Sequence, residues 1–313
     1  MNKDERLIAK VATLYYIKNL TQEEIGRQLG ISRQMVGRIL KDAKEKGVVE
    51  IRVNSLAFPF LSLEEKLESR YGLKEAVVVA CESDDDEVAK MVLGRAGAQY
   101  ISDHLEDHMI LGISWGRTMA KVAESLVPRK TRGVKIVQLN GGLGRGGRLT
   151  NAGQLVIEFS TAFGAESYLL NAPAIVESME ASKAIRSAYF VSSVFEIIDH
   201  TDMCVFSIGT LDQTSVLLEA GYITSEEARR LISLGCVGDI CGRWFNEKGE
   251  IVDKDLNERT IGIQLETLRQ KKFSVAIAGG NHKVKAIRAA LTQRYCNVLI
   301  TDEYTARELL GDQ

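Results

Sequence analysis

The stretch TQEEIGRQLGISRQMVGRIL, residues 21–40, reads as two short helices joined by a tight turn. Thr21 followed three residues later by Glu24 is a capping box, in which each side chain satisfies a backbone N–H of the other. Ile25 and Leu29 are the apolar positions of the first helix. Gly30 ends it, since glycine takes the left-handed closing conformation without a Cβ penalty. Ile31 plugs the core, and Ser32 caps a second helix running to about Lys46. In that helix Val36, Ile39, Leu40 and Ala43 share one face, which leaves Arg33, Gln34, Gly37, Arg38 and Lys41 on the other. Arg and Gln can read guanine and adenine edges through paired hydrogen bonds, and a glycine lets the helix backbone approach DNA closely. A solvated basic face would carry the same residues, but cap, turn and stripe agree on a helix-turn-helix. The expected reading surface is Gln22, Ser32, Arg33, Gln34, Gly37, Arg38 and Lys41.

Upstream, Leu7, Val11, Leu14 and Tyr15 recur at helical spacing over residues 4–18. Downstream, Gly47 stops the chain and VVEIRV (48–53) alternates like a short β-wing, which makes residues 1–54 a winged helix-turn-helix. This head holds eleven Lys/Arg against seven Asp/Glu, a net of +4, which leaves −6 on the remainder. The whole-chain charge of −2 therefore averages a basic head and an acidic body and does not argue against DNA. The uncharged SLAFPFLS (55–62) holds one of only three prolines and marks the linker, so the body spans 63–313.

The body alternates apolar runs with helical patterns. Candidate strands are AVVVA (76–80), MILGI (109–113), VKIVQL (134–139), CVFSI (204–208), SVAIA (274–278) and NVLIT (297–301). Candidate helices are 85–106, 116–126, 151–163, 182–199, 225–234 and 281–291. Apolar strands separated by helices predict an α/β fold, a Rossmann-like parallel sheet covered on both faces. Ligands in such folds bind outside the carboxyl ends of the strands.

That rule selects three loops. Gly112-Ile113-Ser114-Trp115-Gly116-Arg117-Thr118 runs from a strand end into a helix. Small residues, a helix N-terminus, the hydroxyls of Ser114 and Thr118 and the charge of Arg117 suit a phosphate, and a tight turn would also require the glycines. Asn140 to Arg148 is glycine-rich with Arg145 and Arg148, a loop that can order over a ligand or simply stay soluble; it lacks a P-loop ending. Gly279-Gly280-Asn281-His282-Lys283 opens another helix, where a cation opposes the helix dipole unless an anion intervenes. Asp239 stands inside an apolar stretch and needs a partner, either sugar hydroxyls or a backbone brace.

Taken together, SRQMVGRIL (32–40), GISWGRT (112–118), QLNGG (138–142), VGDI (237–240), RTIGI (259–263), AGGNHK (278–283) and TDEYTARELL (301–310) resemble the SorC/DeoR family of bacterial transcriptional regulators over essentially the whole chain. The resemblance implies an effector domain similar in fold to glucosamine-6-phosphate deaminase and ribose-5-phosphate isomerase. It implies phosphate contacts from Ser114, Gly116, Arg117, Thr118 and Lys283, with Asn140, Gly141, Gly142, Gly209, Thr210 and Asp239 around the sugar. It also implies a tetramer whose operator binding responds to a sugar, polyol or sugar phosphate from a carbohydrate catabolic operon. Where some members carry a lysine able to form a Schiff base, this chain has Asn140, which argues against a covalently held effector. Arg117 replaces a commonly small hydroxyl residue.

The rival readings are a sugar-phosphate isomerase or deaminase with an appended head, and a DNA-binding protein whose body only assembles it. Neither a cofactor nor a metal is expected. His104 and His108 lie four apart but among the acids of an exposed helix end. The run Asp84-Asp85-Asp86-Glu87 reads as a helix start, where carboxylates suit the dipole. Five cysteines, no apolar leader and no membrane-length apolar run point to a reduced, cytoplasmic protein.

Overall fold

The computed structural model describes residues 3–50, 59–81, 85–143, 151–212 and 215–311. The chain divides into two compact units, Met1–Pro59 and Phe60–Gln313.

In the first unit, α1 (Lys3–Ala12) continues into a single π-helical turn, Thr13–Ile17, where a plain helix is expected from the spacing. The turn connects to α2 (Gln22–Leu29), and α3 (Arg33–Glu45) follows. Both halves of the Thr21–Glu24 capping box form, and Gly30 closes α2 at φ 69°. Ser32 caps α3 by accepting from the Met35 N–H at 3.2 Å. Ile8, Val11, Ile25, Val36, Ile39, Leu40 and Ala43 make the small core. Gly26 fixes how closely the helices meet, since a Cβ there would lie 2.7 Å from the Ile31 carbonyl oxygen. Of the expected β-wing, residues 48–50 form no strand, and 51–53 lie outside the described residues.

The second unit starts with α4 (Leu61–Tyr71) and β1 (Glu75–Val79). Then come α5 (Asp86–His104), β2 (Ile110–Ile113), α6 (Arg117–Glu124), β3 (Lys135–Gln138), α7 (Ala152–Phe163) and β4 (Glu166–Tyr168). Beyond them lie β5 (Met203–Phe206), β6 (Cys236–Ile240), β7 (Arg243–Asn246), β8 (Phe273–Ile277) and β9 (Val298–Asp302). Seven strands form one sheet in the order β1-β9-β8-β5-β2-β3-β4, and every pairing in it is parallel. β5, β8 and β9 are buried along their whole length, which is why they read as unbroken apolar runs. Alternate strand residues feed two separate cores. Cys204, Phe206, Ala276 and Leu299 enter one, and Met203, Val205, Val275 and Ile300 enter the other.

Three local features depart from the sequence reading. The pattern over 182–199 is two helices, Met179–Ser187 and Tyr189–Asp199, broken where Ala188 takes an extended conformation (φ −62°, ψ 130°). The pattern over 281–291 begins as a 3-10 turn, Asn281–Lys283, before the helix Val284–Thr292. β6 and β7 pair antiparallel as a separate two-stranded sheet, where the sequence shows only an apolar stretch around Asp239.

The topology decides where a ligand can sit. From β2 the chain moves toward β3, and from β5 it moves the opposite way, toward β8, although β2 and β5 are neighbours. The loops leaving their carboxyl ends therefore diverge and open a crevice.

Candidate effector cleft and DNA-reading surface

A cleft enclosing about 730 Å³, its open mouth included, occupies that crevice. After β2 it is lined by Ser114, Trp115, Gly116, Arg117 and Thr118, and after β3 by Asn140. After β5 come Ser207 to Thr210, and after β8 His282 and Lys283. The β6–β7 hairpin adds Asp239, Cys241 and Gly242, and the start of α5 adds Asp86 and Lys90.

Gly116 stands at φ 140°, a conformation that side chains resist, and no side chain caps α6 behind it. The first amide bonded back into the helix is that of Ala120, to the Gly116 carbonyl at 2.9 Å. The amides before it give the cleft wall a positive end suited to an anion. Ser114 and Thr118 are buried beside it. Arg117 turns across the mouth and donates to Glu219 Oε1 at 2.5 Å. Lys283 stands at the N-terminal boundary of the helix Val284–Thr292, without a side-chain capping bond, and lines the same cleft. Burial holds its ammonium below the usual lysine range; Asp86, Asp212 and Asp239 pull the other way, and Lys90 adds to the lowering. Lys90 itself is held by Asp86 at 2.5 Å and Glu87 at 2.8 Å.

The same cleft also offers acceptors to donors. Asp239 is 8% exposed, and burial pushes its carboxyl up to about 6. Its Oδ2 accepts from the Gly242 N–H at 2.9 Å. Gly209 must be glycine to pass it, since a Cβ would lie 2.1 Å from Asp239 Oδ1, and the two backbones pair at 2.9 and 3.0 Å. Thr210 donates to Asp212 Oδ2 at 2.7 Å. Asn140 is 3% exposed, pairs by its backbone with Gly262, and its side-chain oxygen has no hydrogen-bond partner. A buried acceptor left unpaired costs on the order of 1–3 kcal/mol, which a donor on a ligand would offset.

Nine of the eleven expected effector residues thus line one cleft. Gly141 and Gly142 do not; they pack where a Cβ would meet the Pro173 carbonyl oxygen at 2.2 Å and the Ala152 Cβ at 2.3 Å. Arg145 and Arg148 lie outside the described residues. The sequence reading missed Asp86, Lys90, Trp115, the Ser215–Leu217 edge and Cys241. The acid run at 84–87 was the one available signal, and its cap is Asp85, whose Oδ1 accepts from the Glu87 N–H at 2.8 Å. Among the described residues no cluster of three or more metal-binding side chains occurs, and no helix is long and apolar enough to cross a membrane.

On the first unit, Arg33, Gln34, Arg38 and Lys41 are exposed along one side of α3, and Ser32 is exposed at its cap. Lys41 lies 3.6 Å from Glu45. Gln22, half-buried on α2, reaches over Gly37, its Oε1 3.3 Å from where a Cβ would stand. The side of α3 opposite its core is therefore low at Gly37 and rimmed by guanidinium and amide groups, which is the relief a major-groove helix presents.

A helix-turn-helix unit joined to a parallel α/β unit with a ligand-sized cleft is the plan of an effector-responsive regulator. Residues 57–311 match the family described as "Putative sugar-binding domain", and residues 9–46 match "Sigma-70, region 4". The chain is 37% identical to the deoxyribonucleoside regulator of Bacillus subtilis, with 98% of each chain covered. It is 34% identical to the sorbitol operon regulator of Klebsiella pneumoniae, again over 98% of each. The crystal structure of full-length SorC from Klebsiella pneumoniae superposes with a TM-score of 0.76 over 99% of this chain and 100% of that one, at 34% identity. The chain belongs to the SorC/DeoR family of transcriptional regulators. It is a regulator and not an enzyme, and the isomerase reading falls with that assignment.

Proposed function

We propose that the cleft binds a sugar, polyol or sugar phosphate and that its occupancy changes how the first unit binds an operator of a carbohydrate catabolic operon. The observation that carries this is the polarity of the cleft. An uncapped helix N-terminus and Lys283 bring positive charge to the cleft, and Asp239 and Asn140, whose Oδ1 is buried and unpaired, bring acceptors. An anion suits the first set of groups and hydroxyl donors suit the second, which is the chemistry of a polyol bearing or lacking a phosphate. The proposed anion contacts are Ser114, Gly116, Thr118 and Lys283, and the proposed hydroxyl contacts are Asn140, Gly209, Thr210 and Asp239. Arg117, already paired with Glu219, is proposed to brace the mouth.

On the first unit the proposed DNA contacts are Gln22, Ser32, Arg33, Gln34, Gly37, Arg38 and Lys41. The working species is proposed to be a homo-oligomer, a tetramer, with a ligand of unequal affinity for two subunit arrangements shifting DNA binding. A thermal-shift panel of sugars, polyols and their phosphates, followed by operator gel shifts with the best ligand, tests this. A compound that raises the melting temperature and alters the gel shift supports it. A panel with no response, or a compound that binds without touching DNA affinity, overturns it.

A further inference from the structure

We infer, on the DNA-reading surface proposed above, that Gly37 is a positioning residue for base recognition. Its missing side chain leaves a notch in α3 that the Gln22 carboxamide of α2 occupies, and from there Gln22 reads an adenine edge in the major groove.

The notch has one occupant. A Cβ on Gly37 would stand 3.3 Å from Gln22 Oε1 and 4.0 Å from its Cδ. Beyond its chain neighbours and its own helix backbone, no other atom of the described residues lies within 4 Å of that point. Gly26 is the contrast, since a Cβ there would meet the Ile31 carbonyl oxygen at 2.7 Å and backbone packing requires the glycine. Gly37 lies inside α3, where glycine weakens a helix relative to alanine, and no backbone packs against it. What the glycine provides is the space above it.

Gln22 is free to use that space. It is the first residue of α2, and Thr21 and Glu24 close the capping box there without it. Among the described residues no hydrogen bond holds its carboxamide. On α3, Arg33 and Lys41 stand one turn to either side of Gly37, and both are exposed. The amide thus stands over a position bracketed by two cations.

That setting selects what the amide reads. The first helix of such a motif crosses the DNA backbone, and phosphates are met best by cations. A carboxamide instead presents one donor and one acceptor side by side. In the major groove only adenine offers the matching pair, N7 as acceptor and the N6 amino group as donor. Gln22 thereby reads a base from the helix that otherwise only positions. Gly37 acts through it, since a methyl at 3.3 Å would push the amide aside.

The test uses the full chain and an operator selected from random duplexes, with the folding of each variant checked by its melting profile. Gln22→Ala, Gly37→Ala and the double variant are compared by gel shift. Each single substitution is expected to weaken operator binding about tenfold or more, and the double variant no further than Gln22→Ala alone. At the adenine whose identity Gln22→Ala relaxes, 7-deazaadenine is expected to cost the wild type about tenfold and Gln22→Ala nothing. If Gly37→Ala costs as much beside Gln22→Ala as it does alone, the glycine serves direct approach to DNA and its positioning role is overturned. A Gln22→Ala loss spread evenly over all sequences marks a phosphate contact and overturns base reading. Arg33→Ala separates these failures from failure of the surface. A loss there, with the other two additive, leaves the surface standing, and no loss from any of the three substitutions overturns both.

Discussion

Two side chains set the cleft's chemistry, and each predicts a separable outcome. Lys283 is a cation held below its usual range by burial, at a helix start that does not favour it. Lys283→Met is expected to leave the ligand-free melting temperature unchanged or slightly raised, while the shift produced by an anionic ligand falls at least tenfold in apparent affinity. Thermal titration reads both numbers. Asp239 behaves oppositely with pH. Its carboxyl is pushed up to about 6 in the fold from an ordinary 3.8. Below pH 4 the folded and unfolded chains both hold the proton. Between about 4 and 6 the unfolded chain ionises first, so this group's contribution declines, and above 6 the decline is complete. Asp239→Asn keeps an acceptor for the Gly242 N–H and removes the titration. The variant is expected to gain on wild type by on the order of 1–3 kcal/mol between pH 4 and pH 7. Melting temperatures measured across that range decide it; a constant difference would reject the titration.

At the scale of elements, the helix-turn-helix depends on contacts that carry no charge and touch no DNA. Gly26→Ala would place a methyl 2.7 Å from the Ile31 carbonyl oxygen, forcing α2 away from the turn. A loss of about 1–3 kcal/mol from the first unit is expected, with operator affinity falling and the ligand-induced shift of the second unit unchanged. Gel shift and thermal titration on the same preparation separate the two. The elements also show what a sequence can reveal. The central strands were legible because strands buried on both faces are continuous apolar runs, as SVAIA is. The β6–β7 hairpin was not, because Gly238 and Asp239 interrupt it and a register shift lies between Cys236 and Gly238. β4 is only three residues long, with two of them exposed, so it leaves no periodicity to read. The break at Ala188 has neither glycine nor proline to announce it. In the cleft, glycine-rich strand ends announced themselves. Lys90 and Asp86 did not, since an i, i+4 ion pair looks the same on any exposed helix until the fold turns it inward.

For the whole molecule, linkage makes a quantitative demand. If ligand binding in the second unit changes operator affinity by some factor, operator DNA must change ligand affinity by that same factor. Ligand titrations by calorimetry, with and without saturating operator, are expected to differ by the ratio found in gel shifts with and without ligand. A mismatch beyond error would mean that the two binding events are not coupled through one equilibrium.

The cleft's walls come from the ends of four parallel strands, a detached hairpin and the start of α5, spread from Asp86 to Lys283. None of these contributions is a sheet-interior position, and the hairpin holding Asp239 is paired outside the seven-stranded sheet altogether. Recognition can therefore be retuned one short segment at a time, by exchanging a residue at a strand's outlet, without disturbing the stacking beneath. A lineage built on this frame can trade one ligand for another by small edits at these outlets, with Gly209 and Asp239, which pack against each other, the pair where an edit reaches the scaffold.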